Sequence, residues 1–353
     1  MHNFRELEMS LISIGTLGGT IAMVEGGSGG GVVPTLTADA LIAAVPQIRN
    51  YAQIKAQSLF QLPSPSLKFR HGLEVIGWAE NEVKSGADGI VLTQGTDTLE
   101  EMAFLLDLLW EHPQPLVLTG AMRSPRAPGA DGPANLVAAV LTVASRLSRE
   151  RGVLVAMNDT IHAARWITKS HALSVQTFVS SDSGPLGYVY EETPVYINTL
   201  SRLPKIDRTQ FNADVKIGFY ESLLDGDAQM LRSMFESGRY DGIVVAGFGA
   251  GHVSGDEADI IERYASRIPV VVASRTYGGR TATKTYGFHG SEIDLQTKGA
   301  MLAGWLSPPA RRGYCCGHYW QRVKIWKKQE LTSCSITHNC RSRFRIHGKR
   351  ATF

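Results

Sequence analysis

Four short stretches of this 353-residue chain, three of them containing glycine, gather hydroxyls, carboxylates and amines. They are Gly15-Thr16-Leu17-Gly18-Gly19-Thr20, Thr93-Gln94-Gly95-Thr96-Asp97-Thr98, Thr119-Gly120-Ala121-Met122-Arg123, and the run from Asn158-Asp159 through His162 and Arg165 to Lys169. A threonine or serine hydroxyl is a weak nucleophile at neutral pH and needs a base to take its proton. Histidine is the usual base, and here His162 and His171 are the candidates. A lysine beside a carboxylate does the same work when it is desolvated. Asp97 and Lys169 are the best such pair, with Thr96 next to Asp97; their spacing along the chain leaves open whether they meet. The glycines fit no nucleotide signature. G-T-L-G-G-T is not G-x-G-x-x-G, no acidic residue stands at a second strand end about 20 positions on, and no Gly-Lys-Ser/Thr follows.

Each stretch lies just past an apolar run: SLISIG (10–15), GIVLT (89–93), PLVLT (115–119) and GVLVAM (152–157). Such runs suit strands of a parallel sheet buried on both faces. Between them, Met102, Ala103, Leu106 and Leu109 recur with helical spacing after Leu99, and Thr98 with Glu101 has the form of a capping box. Asp131 is placed to cap the helix over ANLVAAVLTVASRL. The alternation predicts right-handed crossovers and an α/β, doubly wound parallel sheet, with ligands at the carboxyl ends of its strands. Residues 1–190 form this first domain. The polar segment 191–212 reads as a linker, and a second, smaller α/β series occupies 213–310. The glycine-rich segment 24–34, with five glycines between Gly26 and Gly31, is either a lid or a plain flexible connection.

Hydrophobic residues at 43% and charged residues at 20% exclude wholesale disorder. No stretch reaches about 18 uncharged apolar residues, so no membrane partner is expected. Arg5, Glu6 and Glu8 stand where a secretory apolar region would be, which predicts no export signal and a cytoplasmic location. The net charge of +3 resolves into +10 for residues 311–353 and −7 for the rest, so the body gives no reason to expect nucleic acid. All four cysteines, Cys315, Cys316, Cys334 and Cys340, lie in that basic tail, at spacings that fit no zinc template. The simultaneous change in charge, cysteine use and periodicity marks 311–353 as an atypical tail produced by a shift of reading frame.

Taken together, GGTIA (18–22), QGTDTLEE (94–101), LTGAMRSPRAPGADGPANL (118–136) and MNDTIHAARWITKSHA (157–172) resemble the bacterial-type L-asparaginase/glutaminase family, from about residue 10 to about residue 310. The resemblance implies an amidohydrolase that converts L-asparagine to L-aspartate and ammonia through a threonine acyl-enzyme, with no cofactor. In such enzymes one threonine attacks, while a second threonine, an aspartate and a lysine form a triad. The matching positions are Thr96, Asp97 and Lys169, with Asp97 also holding the substrate's α-ammonium. Ser64, in QLPSPSL, resembles the serine that binds the substrate carboxylate. His252, in AGFGAGHVS, lies in the loop that would reach a neighbouring subunit's site, and Glu292, in GSEIDL, resembles a carboxylate offered to the substrate amine. The partners implied are a small amino-acid substrate and further copies of the chain, as a homotetramer built from two dimers with shared sites.

The pattern departs from the family in four places. Leu17 takes the place of the first nucleophile, leaving Thr16, Thr20 or Thr96 to attack. No tyrosine precedes Tyr51, so the lid lacks its usual tyrosine. Gln94 replaces a histidine, and Pro65 a glutamine. These departures keep two alternatives in view: a side-chain amidase for glutamine or another small amide, and a non-catalytic binding protein on the same fold. The frame-shift reading predicts that translation of the gene in the other two frames shows an amphipathic helical continuation beyond residue 310; a gene with none would remove it.

Overall fold

The computed structural model describes residues 9–25, 32–34, 37–202, 211, 213–276 and 278–305. The tail 311–353 and the glycines 26–31 lie outside these residues. The chain divides into two compact units, Met1–Gln210 and Phe211–Phe353.

The first unit runs β1 (Leu11–Thr16), β2 (Met23–Glu25), β3 (Val32–Pro34), α1 (Ala38–Ala43), β4 (Gln53–Ser58), α2 (Phe69–Lys84), β5 (Gly89–Thr93), α3 (Leu99–Leu109), β6 (Leu116–Thr119) and α4 (Gly132–Ala144). It continues with β7 (Val153–Met157), β8 (Thr160–Ala163), β9 (Thr168–Lys169), β10 (Phe178–Val179), β11 (Gly187–Tyr190) and β12 (Thr193–Tyr196). Eight of these strands form one sheet in the order β12-β11-β8-β7-β6-β5-β1-β4. From β4 to β7 neighbouring strands are parallel, whereas β7, β8, β11 and β12 form an antiparallel extension. The sheet is therefore mixed rather than wholly parallel, and it continues to Tyr196 inside the segment 191–212 that the sequence suggests is a linker. β2 and β3 pair antiparallel on either side of the glycine-rich stretch.

Alternation along β1 sorts the two faces. Ile12 and Ile14 join Val91, Val117 and Leu154 in a core completed by Leu136, Ala139 and Val140 of α4 and by Leu41 and Ile42 of α1. Ser13, between them, points the other way and donates to Glu82 of α2 (2.6 Å), whose other oxygen takes Lys55 Nζ at 2.7 Å. Helices thus cover both faces, which is why β5, β6 and β7 are buried at every position. Ile14 is fully buried, and its truncation to alanine would cost about 2–5 kcal/mol.

The second unit carries β13 (Ile217–Glu221), α5 (Ala228–Glu236), β14 (Gly242–Gly247), α6 (Gly255–Ala265), β15 (Val270–Ser274), α7 (Glu292–Thr297) and β16 (Met301–Leu302). Its four strands are parallel in chain order. Ile243, Val245, Val270 and Val272 meet Leu231 and Phe235 of α5, Ile260 and Ile261 of α6, and Leu295 of α7. Among the described residues no helix is long and apolar enough to cross a membrane.

Two helix starts differ from the sequence expectation. Thr98 makes no capping bond; its hydroxyl instead donates to Ser64 O at 2.9 Å and accepts from Gln94 Nε2 at 3.2 Å. Asp131 also leaves α4 uncapped, because its carboxylate accepts the N–H groups of Met122 and Arg123 across the preceding loop. In both cases a longer-range partner takes the side chain that a local pattern assigns to the helix.

His162, on β8, is buried to 2% exposure, with Nδ1 at 2.9 Å from Ser180 Oγ. Burial pushes its pKa down to about 4, so the folded ring stays neutral while an unfolded one protonates near 6.5. The stability it supports is complete above pH 6.5 and declines as pH falls toward 4, by roughly 3 kcal/mol in all. His162→Leu should flatten the melting temperature between those pH values; an unchanged slope would assign the decline to other groups.

Candidate active site

The parallel strands deliver their hydroxyls in one row. Thr16 of β1 pairs in register with Thr93 of β5, and Thr93 with Thr119 of β6. Each strand then turns into its loop at the same edge. Beyond Thr16 the chain stays locked to its neighbours: Leu17 N donates to Thr93 O (2.9 Å) and Leu17 O accepts from Leu62 N (3.2 Å). Gly18 and Gly19 follow with φ of +99° and +87°, a conformation that glycine adopts at little cost. A methyl carbon on Gly19 would lie 2.1 Å from Gly95 N, so the first loop packs backbone against backbone on the second.

That second loop leads through a 3-10 turn, Thr96–Thr98, directly into α3. Here Lys169 of β9 arrives. Its Nζ donates to Thr96 Oγ1 at 2.9 Å and to Asp97 Oδ1 at 2.6 Å. The lysine side chain is 9% exposed and that of Asp97 62%, so a shielded ammonium faces an open carboxylate. A hydroxyl and an acid adjacent in sequence thus meet an amine 72 residues beyond the acid at the carboxyl edge of the sheet. Neither histidine is the partner of Thr96. His162 lies in the interior, and His171 Nδ1 accepts from the N–H groups of Leu173 and Ser174 in its own loop.

The other sequence candidates fall elsewhere. Ser64 is 2% exposed, and its Oγ accepts the Asp97 N–H at 3.2 Å, which braces the turn. Thr16 is also buried, at 2%. Leu17 is fully buried. Thr20 opens a short 3-10 turn and is partly exposed. Among the described residues no hydrogen bond joins Thr16 or Thr20 to the Thr96–Asp97–Lys169 trio.

In the second unit His252 Nε2 lies 3.1 Å from Glu292 Oε2, while Glu292 Oε1 accepts the N–H groups of Thr285 (2.6 Å) and Tyr286 (2.7 Å). Burial would raise the Glu292 pKa, but the N–H groups of Tyr286, Thr285 and Glu292 itself, with His252, hold it below the ordinary carboxylate value. Its carboxylate is thus fully buried and hydrogen-bonded within its own unit. The rings of Tyr286 and Phe288 flank His252 at 4.9 and 5.1 Å, edge to face.

Several residues support the site through contacts that the sequence does not announce. Asn135 donates to Gly120 O at 3.0 Å and accepts the Asn158 N–H at 2.8 Å, tying the ends of β6 and β7 together. Gln94, Thr98 and Ser64 form a chain of hydrogen bonds beneath the 3-10 turn. Ser64, Gln94 and Thr98 are singled out in the sequence on other grounds, and Asn135 only as part of the run matched to the family.

An α/β sheet whose carboxyl edge joins a hydroxyl, a carboxylate and an amine has the parts of an acyl-transfer centre that uses a hydroxyl nucleophile. Residues 11–202 match the model of the family described as "Asparaginase, N-terminal", and residues 216–314 match the "Glutaminase/Asparaginase C-terminal domain". A probable periplasmic L-asparaginase of Haemophilus influenzae is 37% identical over 316 residues, covering 85% of this chain and 86% of the relative. L-asparaginase 2 of Escherichia coli is 34% identical over 321 residues, 87% of this chain and 88% of the relative. The crystal structure of a probable cytoplasmic L-asparaginase from Campylobacter jejuni aligns with a TM-score of 0.78 and 31% identity, over 86% of this chain and 93% of that one. The chain belongs to the asparaginase family.

The backbone contact at Gly19 is testable. Gly19→Ala should separate the two loops and destabilise the first unit by at least about 1–3 kcal/mol. A melting temperature equal to that of the parent would show that the contact is not required.

Proposed function

We propose that this protein is an amidohydrolase that converts L-asparagine to L-aspartate and ammonia through a threonine acyl-enzyme. The observation that carries the reading is the Lys169 ammonium shared between Thr96 Oγ1 and Asp97 Oδ1. In this reaction a hydroxyl oxygen bonds to the side-chain carboxamide carbon, and its proton passes by way of Thr96 Oγ1 to Lys169 Nζ, which receives it as the neutral amine. The tetrahedral intermediate expels ammonia, which takes up a proton. Water then attacks the ester, and the hydroxyl recovers its proton as aspartate leaves. Backbone N–H groups at the loop ends would bear the oxyanion, a contribution of about 3–4 kcal/mol per donor. Thr96, Asp97 and Lys169 form the proton-handling half, and the exposed Asp97 carboxylate receives the substrate's α-ammonium. The first nucleophile belongs to the first loop, where the partly exposed Thr20 is favoured over the buried Thr16. Ser64 contributes by fixing Asp97 from beneath, and His252 belongs to a loop of the second unit that acts in an oligomer, a homotetramer by family likeness. The cysteine-free body supports a cytoplasmic setting.

One observation favours a second reading. Leu17 fills the position of the family's nucleophile and is fully buried, as expected for a binding protein that has lost turnover. Ammonia release from asparagine at neutral pH separates the two. Thr96→Val should lower turnover by about 10²-fold or more, and Lys169→Met should do the same. Thr20→Ala should abolish release while Thr16→Ala retains it. Protein that binds asparagine without releasing ammonia would establish the second reading.

A further inference from the structure

Lys169 must hold one nitrogen against two oxygens, yet it sits on a two-residue strand paired with another two-residue strand. A ribbon of that size is marginal by itself, and a misplacement of about 1 Å can cost 10²-fold in rate. Something outside the ribbon must fix it. The fold supplies a carboxylate that the reaction described above does not use. Glu100, in the first turn of α3, is 1% exposed, and its Oε2 accepts a hydrogen bond from the Lys169 backbone N–H. Burying a carboxylate is costly unless it is well bonded, so its retention here calls for a structural return.

The spacing gives that return a geometry. Thr96 and Asp97 lie in the 3-10 turn Thr96–Thr98, which leads directly into α3, and Glu100 is the second residue of that helix. The Lys169 main chain is held at Glu100, and its ammonium is held at Thr96 and Asp97. The lysine is therefore held at two points of one short segment, its main chain at the first turn of α3 and its ammonium at the 3-10 turn that leads into that helix.

We infer that Glu100 is a positioning residue for Lys169: by accepting the lysine's backbone N–H at the first turn of α3, it sets the reach of the amine to Thr96 and Asp97. The inference rests on the reading of Lys169 given above only for its effect on turnover; the placement itself is separately measurable.

The test uses the full-length chain with limiting acetic anhydride, reading the acetylation of each lysine by mass spectrometry alongside kcat and KM for ammonia release. Glu100→Ala, and Glu100→Leu as a variant that keeps the interior filled, should each raise labelling of Lys169 severalfold with other lysines unchanged. Both should lower kcat by about 10²-fold with KM little altered. Glu100→Gln retains an acceptor oxygen and should keep Lys169 shielded and kcat near that of the parent. Lys169 remaining as shielded in Glu100→Ala and Glu100→Leu as in the parent overturns the inference, as does release of Lys169 in Glu100→Gln equal to that in Glu100→Ala. Release of Lys169 with kcat unchanged supports the placement and refutes the catalytic reading of the lysine.

Discussion

A single ammonium nitrogen, bonded at once to a hydroxyl and a carboxylate, is the constraint around which the first unit is arranged. Thr96 and Asp97 are adjacent, so a 3-10 turn is enough to present them together. Lys169 arrives from a different part of the chain, and its nitrogen lies within 2.9 Å of one oxygen and 2.6 Å of the other. An amine shielded to this degree would carry a heavy desolvation cost without both partners. Many other contacts of the unit read as means of keeping those distances.

The means are mostly backbone. Parallel pairing from β4 to β7 sends β1, β5 and β6 out at one edge, with Thr16, Thr93 and Thr119 in register. Gly19 meets Gly95 where no side chain fits, and Ser64 accepts the Asp97 N–H. Asp131 and Asn135 bind loop N–H and C=O groups between β6 and β7. A close-packed support of this kind tolerates little displacement, as an acyl-transfer centre requires.

Much of this architecture was legible in the residues. Buried parallel strands are continuous apolar runs, so β1, β5, β6, β7, β14 and β15 stand out, as do α3, α4, α5 and α6. The less visible elements have physical reasons for being so. β4 is an edge strand, mostly exposed, with only Ile54 and Ala56 set against the core. α2 buries His71, Gly72 and Glu82 along with Val75, Ile76 and Ala79, which dilutes its apolar stripe. β8, β11 and β12 are four residues each and turn through left-handed positions at Asn158, Asp159, Glu191 and Glu192. At the candidate site the pairing of Asp97 with Lys169 was readable as chemistry but not as distance. The bracing by Ser64, Thr98 and Asn135 was hidden, because long-range hydrogen bonds leave no periodicity. The bonds from the Thr285 and Tyr286 N–H groups to Glu292 were hidden for the same reason.

The unequal exposure of the charged pair has a consequence for what leaves the candidate site. The negative end faces water and the positive end is withdrawn. An entering amino acid amide brings one ammonium and one carboxylate; the departing amino acid brings a second carboxylate, formed where the neutral amide had been. Under the function proposed above, the exposed Asp97 carboxylate attracts the ammonium of the first species and repels the added charge of the second, which favours release of product.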